Sequence, residues 1–317
     1  MSRIVALCGG VGGAKLAYGL ANVCEADELV VIVNTADDFE HLGLTICPDI
    51  DTVLYTLAGK ENPEFGWGRA EESWRVMHEL EQLGGETWFK LGDKDIALHL
   101  LRRQMLGRGM TLTEVTRVLA QRLSVAVTVL PMTDAPVRTM VTTDEGELPF
   151  QDYFVRRRCE PVVKAFRFAG VEQASPSPQV ESAFASPGLR AVIICPSNPY
   201  VSVGPILALP GMKERLRALD APVLAVSPIV GGRAIKGPAA KMMRELAIPP
   251  SALAVARIYG DLIDAIVVDE QDRALLDLRE STDPTLFVAQ TVMKTPEDRV
   301  ALGRECIGLI DRLVRKA

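Results

Sequence analysis

Residues 3–20 read RIVALCGGVGGAKLAYGL, and this stretch decides the fold class. Arg3–Cys8 is a short run rich in Ile and Val, the signature of a strand buried on both faces. Gly9, Gly10, Gly12 and Gly13 follow within five residues, and AKLAYGLANV then carries helical spacing. A second apolar run, Leu29–Val33, completes a strand–helix–strand unit. Glycines let a backbone approach a ligand closely, and a helix N-terminus favours an anion, so the loop reads as a phosphate site. It is not a Walker A sequence: Ala14 precedes Lys15, and Leu16 stands where Ser or Thr would hold magnesium. It is not GxGxxG either, because Lys15 takes the last position.

Outward from this unit, helical patterns are expected at 49–57, 71–83, 95–106 and 113–123. A strand is expected at 125–130. A β-hairpin is expected from 137–143 and 148–155 around Asp144-Glu145-Gly146, extended by 161–168. EQASPSPQV (172–180) reads as a loop. A second alternating series follows, with strands at 191–195, 223–226 and 265–268 and helices at 212–219, 239–246 and 297–314. The alternation predicts a single α/β domain over 1–317. Its core is a doubly wound, mainly parallel sheet, and a helical and β-hairpin subdomain is inserted at about 60–170.

The chain has 317 residues, with 35 basic and 41 acidic side chains, a net charge of −6 that gives no general attraction to nucleic acid. The apolar share is 48%, enough for a large core. No apolar run approaches the ~18 residues of a membrane span. The N-terminal run IVALC is far shorter than a signal-peptide core, so a cytoplasmic protein is expected. The six cysteines include no CxxC pair, and three histidines are too few for a His-based metal cluster.

Four further segments carry chemistry. VNTADDFEHLGLTICPDIDT (33–52) gathers Asp37, Asp38, Asp49 and Asp51 beyond the second strand. Oxygen donors of this kind suit a hard divalent cation, with helix capping as the alternative role; the metal set read here is Asp38, Asp49 and Asp51. WFKLGDKDIALH (88–99) places Lys90, Asp93, Lys94 and Asp95 before a helix, where Lys90 could meet a phosphate or a ring substituent and capping is again the alternative. CPSNPYVSVGPIL (195–207) offers Ser197, Asn198 and Ser202; an amide presents both a donor and an acceptor to a base. VSPIVGGRAIKGPAAKMM (226–243) is a second glycine loop, with Gly232, Arg233, Lys236 and Lys241. Ligands of open α/β sheets bind beyond the carboxyl ends of strands. Most of these segments lie there, which argues for one shared site handling phosphate and a divalent ion. Neither a GxSxG elbow nor a plausible Ser-His-Asp set is present.

Taken together, GGVGGAKLAYGL, NTADDFEHLGLTICPDIDTVLYTLAG, FGWG, FKLGDKDIALH, LPMTDAPVRT, FQDYFVRRRCEP, PSNPYVSVGPILALPGM and AVSPIVGGRAIKGPAAKMM resemble the 2-phospho-L-lactate transferase family of coenzyme F-420 biosynthesis. The resemblance spans roughly the first 270 residues. It implies a Rossmann-like core, a homodimer and magnesium dependence. The implied reaction moves a phospholactyl, phosphoenolpyruvyl or phosphoglyceryl group from a guanosine diphosphate-activated donor to a ribityl hydroxyl. The acceptor is 7,8-didemethyl-8-hydroxy-5-deazariboflavin, GMP is released, and a guanylyltransferase partner makes the donor. By the same resemblance Asp51 and Lys90 contact the deazaflavin, with Asp93 beside them. Gly10, Gly12 and Gly13 cradle the donor phosphates, joined by Lys15, Asn34, Ser197, Gly232 and Lys236, and Asn198 holds the guanosine end. Asp51 and Asp38 are the expected catalytic carboxylates, and Asp51→Asn is expected to abolish transfer without disturbing the fold. A nucleotide-sugar-binding regulatory protein of the same superfamily is the alternative; such proteins need not carry the LGDKD, FQDYFV and SPIVGG segments that would shape an acceptor pocket, and their presence here favours the enzyme. A nicotinamide-dependent oxidoreductase is disfavoured by the glycine pattern and by Asn34, not an acid, at the end of the second strand.

Overall fold

The fold is described from a computed structural model covering residues 2–314; Met1 and the C-terminal 315–317 of the expected 1–317 domain lie outside the described residues. Seven strands form the central sheet: β1 (Arg3–Cys8), β2 (Leu29–Val33), β3 (Thr128–Pro131), β4 (Leu189–Ile194), β5 (Val223–Val226), β6 (Ala265–Asp269) and β7 (Thr285–Ala289). Their spatial order is β3-β2-β1-β4-β5-β6-β7, and every pair is parallel. The chain leaves β1 toward one edge and later restarts at β4 toward the other. The switch point therefore lies between β1 and β4, where open sheets of this kind bind ligands.

β1, β2, β5 and β6 are buried along most or all of their length, as parallel strands covered on both faces must be. Alternate side chains feed two cores. Ile4, Ala6, Cys8, Val31 and Val33 pack beneath α1 (Gly10–Ala21), α2 (Pro48–Leu57) and the C-terminal helix Pro296–Val314. Val5, Leu7, Val30 and Ile32 pack on the other face against Ile206, Met212, Met243 and Val255.

The residues between β2 and β3 carry α3 (Arg75–Gln82), α4 (Asp93–Leu106) and α5 (Leu112–Arg122). Between β3 and β4 lies a three-stranded antiparallel sheet of Gly146–Pro149, Arg138–Thr143 and Val163–Ala169. The segment 60–170 is thus two excursions separated by a core strand. Several elements differ from the sequence reading, which did not include the hairpin Phe39–His41/Leu44–Ile46 or the helix Ala252–Tyr259. Residues 148–155 form only a short strand before turning into a wide helical turn at Asp152–Arg156. The Pro-rich loop at 172–180 ends in a helix, Pro178–Phe184, capped by Ser177. β7 is an edge strand of mixed burial, and its TLFVA lacks the Val/Ile density that marks the other strands.

The position of α1 depends on two glycines. Gly19 faces the C-terminal helix so closely that a Cβ there would land on the carbonyl oxygen of Arg299, while a Cβ on Gly303 would sit 2.8 Å from the Gly19 backbone. Gly19→Val must push the helices apart and tilt the glycine loop with them. The expected cost is ~1–3 kcal/mol, the usual range for overpacking a tight contact. A urea titration followed by circular dichroism checks it, and an unchanged midpoint would contradict the packing described.

Candidate active site

A cavity of about 760 Å³ opens at the switch point. Its lining includes Gly9, Gly10, Val11, Gly12 and Lys15 of the first glycine loop with Ser197, Asn198 and Ser202 beyond β4. Phe65, Trp67, Trp88, Phe89, Phe150 and Phe154 from the two excursions form an aromatic wall, and the loop at Phe65 lies against Val11 and Lys236. Asp37, Asp49, Asp51, Lys90 and Lys236 also reach it.

The glycine turn is built by close packing as much as by ligand approach. Helix α1 begins at Gly10, in the left-handed region with φ 63°, so the glycines form its first turn rather than a loop before it. A Cβ on Gly12 would strike the carbonyl oxygen of Pro196, and one on Gly13 would strike Ser197 Oγ. The loop beyond β4 therefore presses directly on the turn. Gly9 N–H donates to Ser197 Oγ at 3.1 Å, and Ser197 Oγ donates back to Gly9 O at 2.8 Å. Gly10 N–H donates to Asp49 Oδ1 at 2.8 Å, and Asn34 Nδ2 donates to Asp49 Oδ2 at 2.9 Å and to Val201 O at 3.2 Å.

Burial raises the Asp49 carboxyl to about 6, against the pull of its Asn34 and Gly10 hydrogen bonds. Burial raises Asp37 well above the carboxylate range, and the neighbouring Asp49 charge adds to it. Asp37 also keeps one buried oxygen, Oδ1, without a hydrogen-bond partner. Two desolvated, mutually repelling carboxylates with a spare oxygen suit a hard divalent cation. Among the described residues no three His, Cys, Asp or Glu side chains group around a metal position. An ion here would take its remaining ligands from water and a phosphate, as magnesium commonly does.

The other residues of the expected metal set have different surroundings. Asp51 is paired with Arg102, whose Nη1 donates to Asp51 Oδ2 at 3.1 Å while Nη2 bonds Oδ1. Arg102 is fully buried and also touches Thr45 O and His99 Nδ1. Burial works against its charge, yet Asp51 holds it ionised. His99 is pushed down to about 4, mainly by burial, and is neutral. Asp38 faces a second cavity with Arg138 and Arg156; burial takes it to about 8.

Several expected ligand residues lie away from the cavity lining. Asn34 and Gly13 sit beneath the glycine turn as its supports. Asp93 caps α3, accepting from Ser73 Oγ at 2.6 Å and from the backbone of Arg75 and Val76. Gly232 is one of two left-handed residues at the tip of the Ile229–Val230/Arg233–Ala234 ribbon. Asn198 lines the cavity, but its Oδ1 is taken by Tyr200 N at 2.9 Å and its Nδ2 points to Met242 Sδ. Lys15 donates to Met293 O at 2.9 Å, and Lys236 to Phe65 O, so each lysine ties a loop to the cavity rim. The sequence reading did not single out Tyr55 or Arg102; it took LGDKD, which carries Asp95, and FQDYFV, which carries Phe150 and Phe154, as segments that shape an acceptor pocket, without a role for each side chain. These lie on helices and loops whose apolar periodicity gives no separate signal for a cavity face.

A family model described as 2-phospho-L-lactate transferase CofD matches residues 4–298. The chain belongs to this family. A "Phosphoenolpyruvate transferase" of Kitasatospora aureofaciens is 41% identical to this CofD-family chain over 318 residues, covering 98% of each. A "2-phospho-L-lactate transferase" of Methanosarcina acetivorans is 38% identical over 308 residues, covering 97% of this chain and 99% of the relative. A solved UPF0052-family protein of Bacillus halodurans shares the fold, with a TM-score of 0.62 at 15% identity, over 96% of this chain and 99% of that one. The chain is thus an enzyme of the CofD transferase family, and among its described residues no helix is long and apolar enough to cross a membrane.

Two outcomes follow from the buried charges. The Arg102 pair gives a different expectation for Asp51→Asn from an intact fold, because the buried charge of Arg102 would lose its carboxylate partner. The expected cost is ~3–5 kcal/mol, and adding Arg102→Met should recover much of it, both read from urea midpoints. Burial lifts Asp95 to about 7. Its raised pKa means the folded state holds a proton that the unfolded chain gives up from about pH 4, so this contribution to stability is lost as pH rises to 7. The melting temperature of Asp95→Asn should therefore gain on wild type between pH 5 and pH 8; parallel pH trends would refute the burial effect.

Proposed function

We propose that the chain transfers a phosphorylated three-carbon acid from a guanosine diphosphate-linked donor to the ribityl hydroxyl of 7,8-didemethyl-8-hydroxy-5-deazariboflavin, releasing GMP. The observation that carries this reading is a single cavity joining the N-terminal turn of α1 to six aromatic side chains, in a member of the CofD family. A helix N-terminus suits a diphosphate, and an aromatic wall suits a planar tricycle. Curated relatives of both the phosphoenolpyruvate and the phospholactate kind are about 40% identical, so both donors enter the test.

Such a transfer needs positioning and charge neutralisation more than a covalent nucleophile. The hydroxyl oxygen bonds to the phosphorus that carries the three-carbon acid. The bond from that phosphorus to the GMP oxygen breaks, and the hydroxyl proton leaves. Asp51, fixed by Arg102 at the cavity wall, would accept the hydrogen of the attacking hydroxyl and aim it. Lys15 and Lys236 would neutralise the departing GMP phosphate after leaving their loop carbonyls. Magnesium held by Asp37 and Asp49 would supply further neutralisation of the diphosphate.

The test is a coupled reaction with deazaflavin, GTP, magnesium and a guanylyltransferase. It is offered 2-phospholactate, phosphoenolpyruvate or 3-phosphoglycerate separately, with products read by mass spectrometry. A phospho-acid adduct of the deazaflavin is the expected result, and the best donor names the acid. No adduct from any donor, with guanosine nucleotide still bound, would replace the transferase reading by a regulatory binding role.

A further inference from the structure

Besides Asp37 Oδ1 and Trp88 Nε1, two polar groups of the cavity lining, on Asp95 and Tyr55, lack a well-formed hydrogen bond. Asp95, in the first turn of α4, is 8% exposed, and its Oδ1 is buried without a hydrogen bond. Tyr55, near the end of α2, is 1% exposed, and its hydroxyl is likewise buried and unbonded. Both line the cavity. The Tyr55 hydroxyl and the Asp95 carboxyl face each other closely enough for each to perturb the other, and neither has a well-formed hydrogen bond to any other group.

Both side chains are held in place from outside the cavity. Arg69 lies over the Tyr55 ring with its guanidinium carbon 5.1 Å from the centroid. The Asp95 backbone N–H donates to Glu72 Oε1 at 3.1 Å, and that of Lys94 to Glu72 Oε2 at 2.9 Å. Gly68 closes over the carboxylate from the same loop that carries Phe65 and Trp67; a Cβ there would meet Asp95 Oδ2 at 3.6 Å. A buried acceptor and a buried hydroxyl left unmatched cost stability, which a ligand would restore by pairing with both. Their position beside aromatic side chains points to the rim of a flat ring rather than to a phosphate.

We propose that Asp95 and Tyr55 read the hydrogen-bonding edge of the planar acceptor, Asp95 accepting from a ring N–H and Tyr55 donating to the carbonyl beside it. The ligand class is a fused aromatic ring bearing a cyclic imide, and for this chain the assignment rests on the deazaflavin reading above. Specificity of this kind is strong, because a ligand lacking the N–H leaves the buried acceptor unpaired again.

The experiment titrates the full-length protein with the deazaflavin and with its imide N-methyl analogue, following tryptophan fluorescence, since Trp67 and Trp88 line the cavity. Wild type should bind the parent about tenfold or more tightly than the N-methyl compound. Asp95→Ala should weaken the parent about tenfold or more and largely erase that preference, Tyr55→Phe should weaken the parent several-fold, and GDP binding to both variants should be unchanged. The wild-type comparison needs no variant, so it stands even if Asp95→Ala fails to fold. Wild type binding parent and N-methyl compound equally, or variants keeping the wild-type preference, would overturn the pairing and leave the transferase reading intact. Wild type binding no deazaflavin at all would overturn both.

Discussion

The structure depends on the way Asp49 is held. One carboxylate joins the first N–H of α1 to the side-chain amide of Asn34 at the end of β2, and Asn34 in turn holds the loop beyond β4 through Val201 O. Three strand ends are thereby fixed around one buried acid. Such an arrangement is costly in a desolvated setting unless every oxygen is bonded, and both Asp49 oxygens are. The absence of side chains at Gly12 and Gly13 lets the loop from β4 reach the same turn. The cavity has its shape because these three segments cannot separate without leaving that carboxylate unmatched.

The second constraint is the charge pair inside the helical excursion. Arg102 and Asp51 join α4 to α2, with His99 kept neutral beside them. A buried arginine bonded at both prongs to one carboxylate is a directional strut that apolar packing would not reproduce. It sets the angle at which α4 presents Asp95 and α2 presents Tyr55 to the same space.

The sheet was legible in the sequence because most of its strands are dense in Val and Ile and are bounded by turn residues. β7 escaped because an edge strand with one open side needs no such density. The glycine loop, the residues beyond β4 and Asp49 were legible as a converging set, since topology alone brings strand ends together. Asp93 and Gly232 stand outside the cavity lining, in a cap and a tight turn, roles that select the same residue types as ligand binding. Asp51 was visible as an acid at a helix start, but its partner lies 51 residues away, and nothing in the periodicity of α4 marks Arg102 as buried. The aromatic wall was legible only in part: FQDYFV, with Phe150 and Phe154, reads as shaping an acceptor pocket, but its meeting with Phe65, Trp67, Trp88 and Phe89 does not. Its six residues come from three separate stretches that meet only after the excursions fold over the sheet.

All six of those aromatic residues lie outside the seven-stranded sheet, whereas the glycine turn is built at the sheet's own strand tips. Replacements in the excursions can therefore reshape much of the cavity without touching a core strand. Only the loop at Phe65, seated on Val11 and Lys236, ties such changes back to the turn.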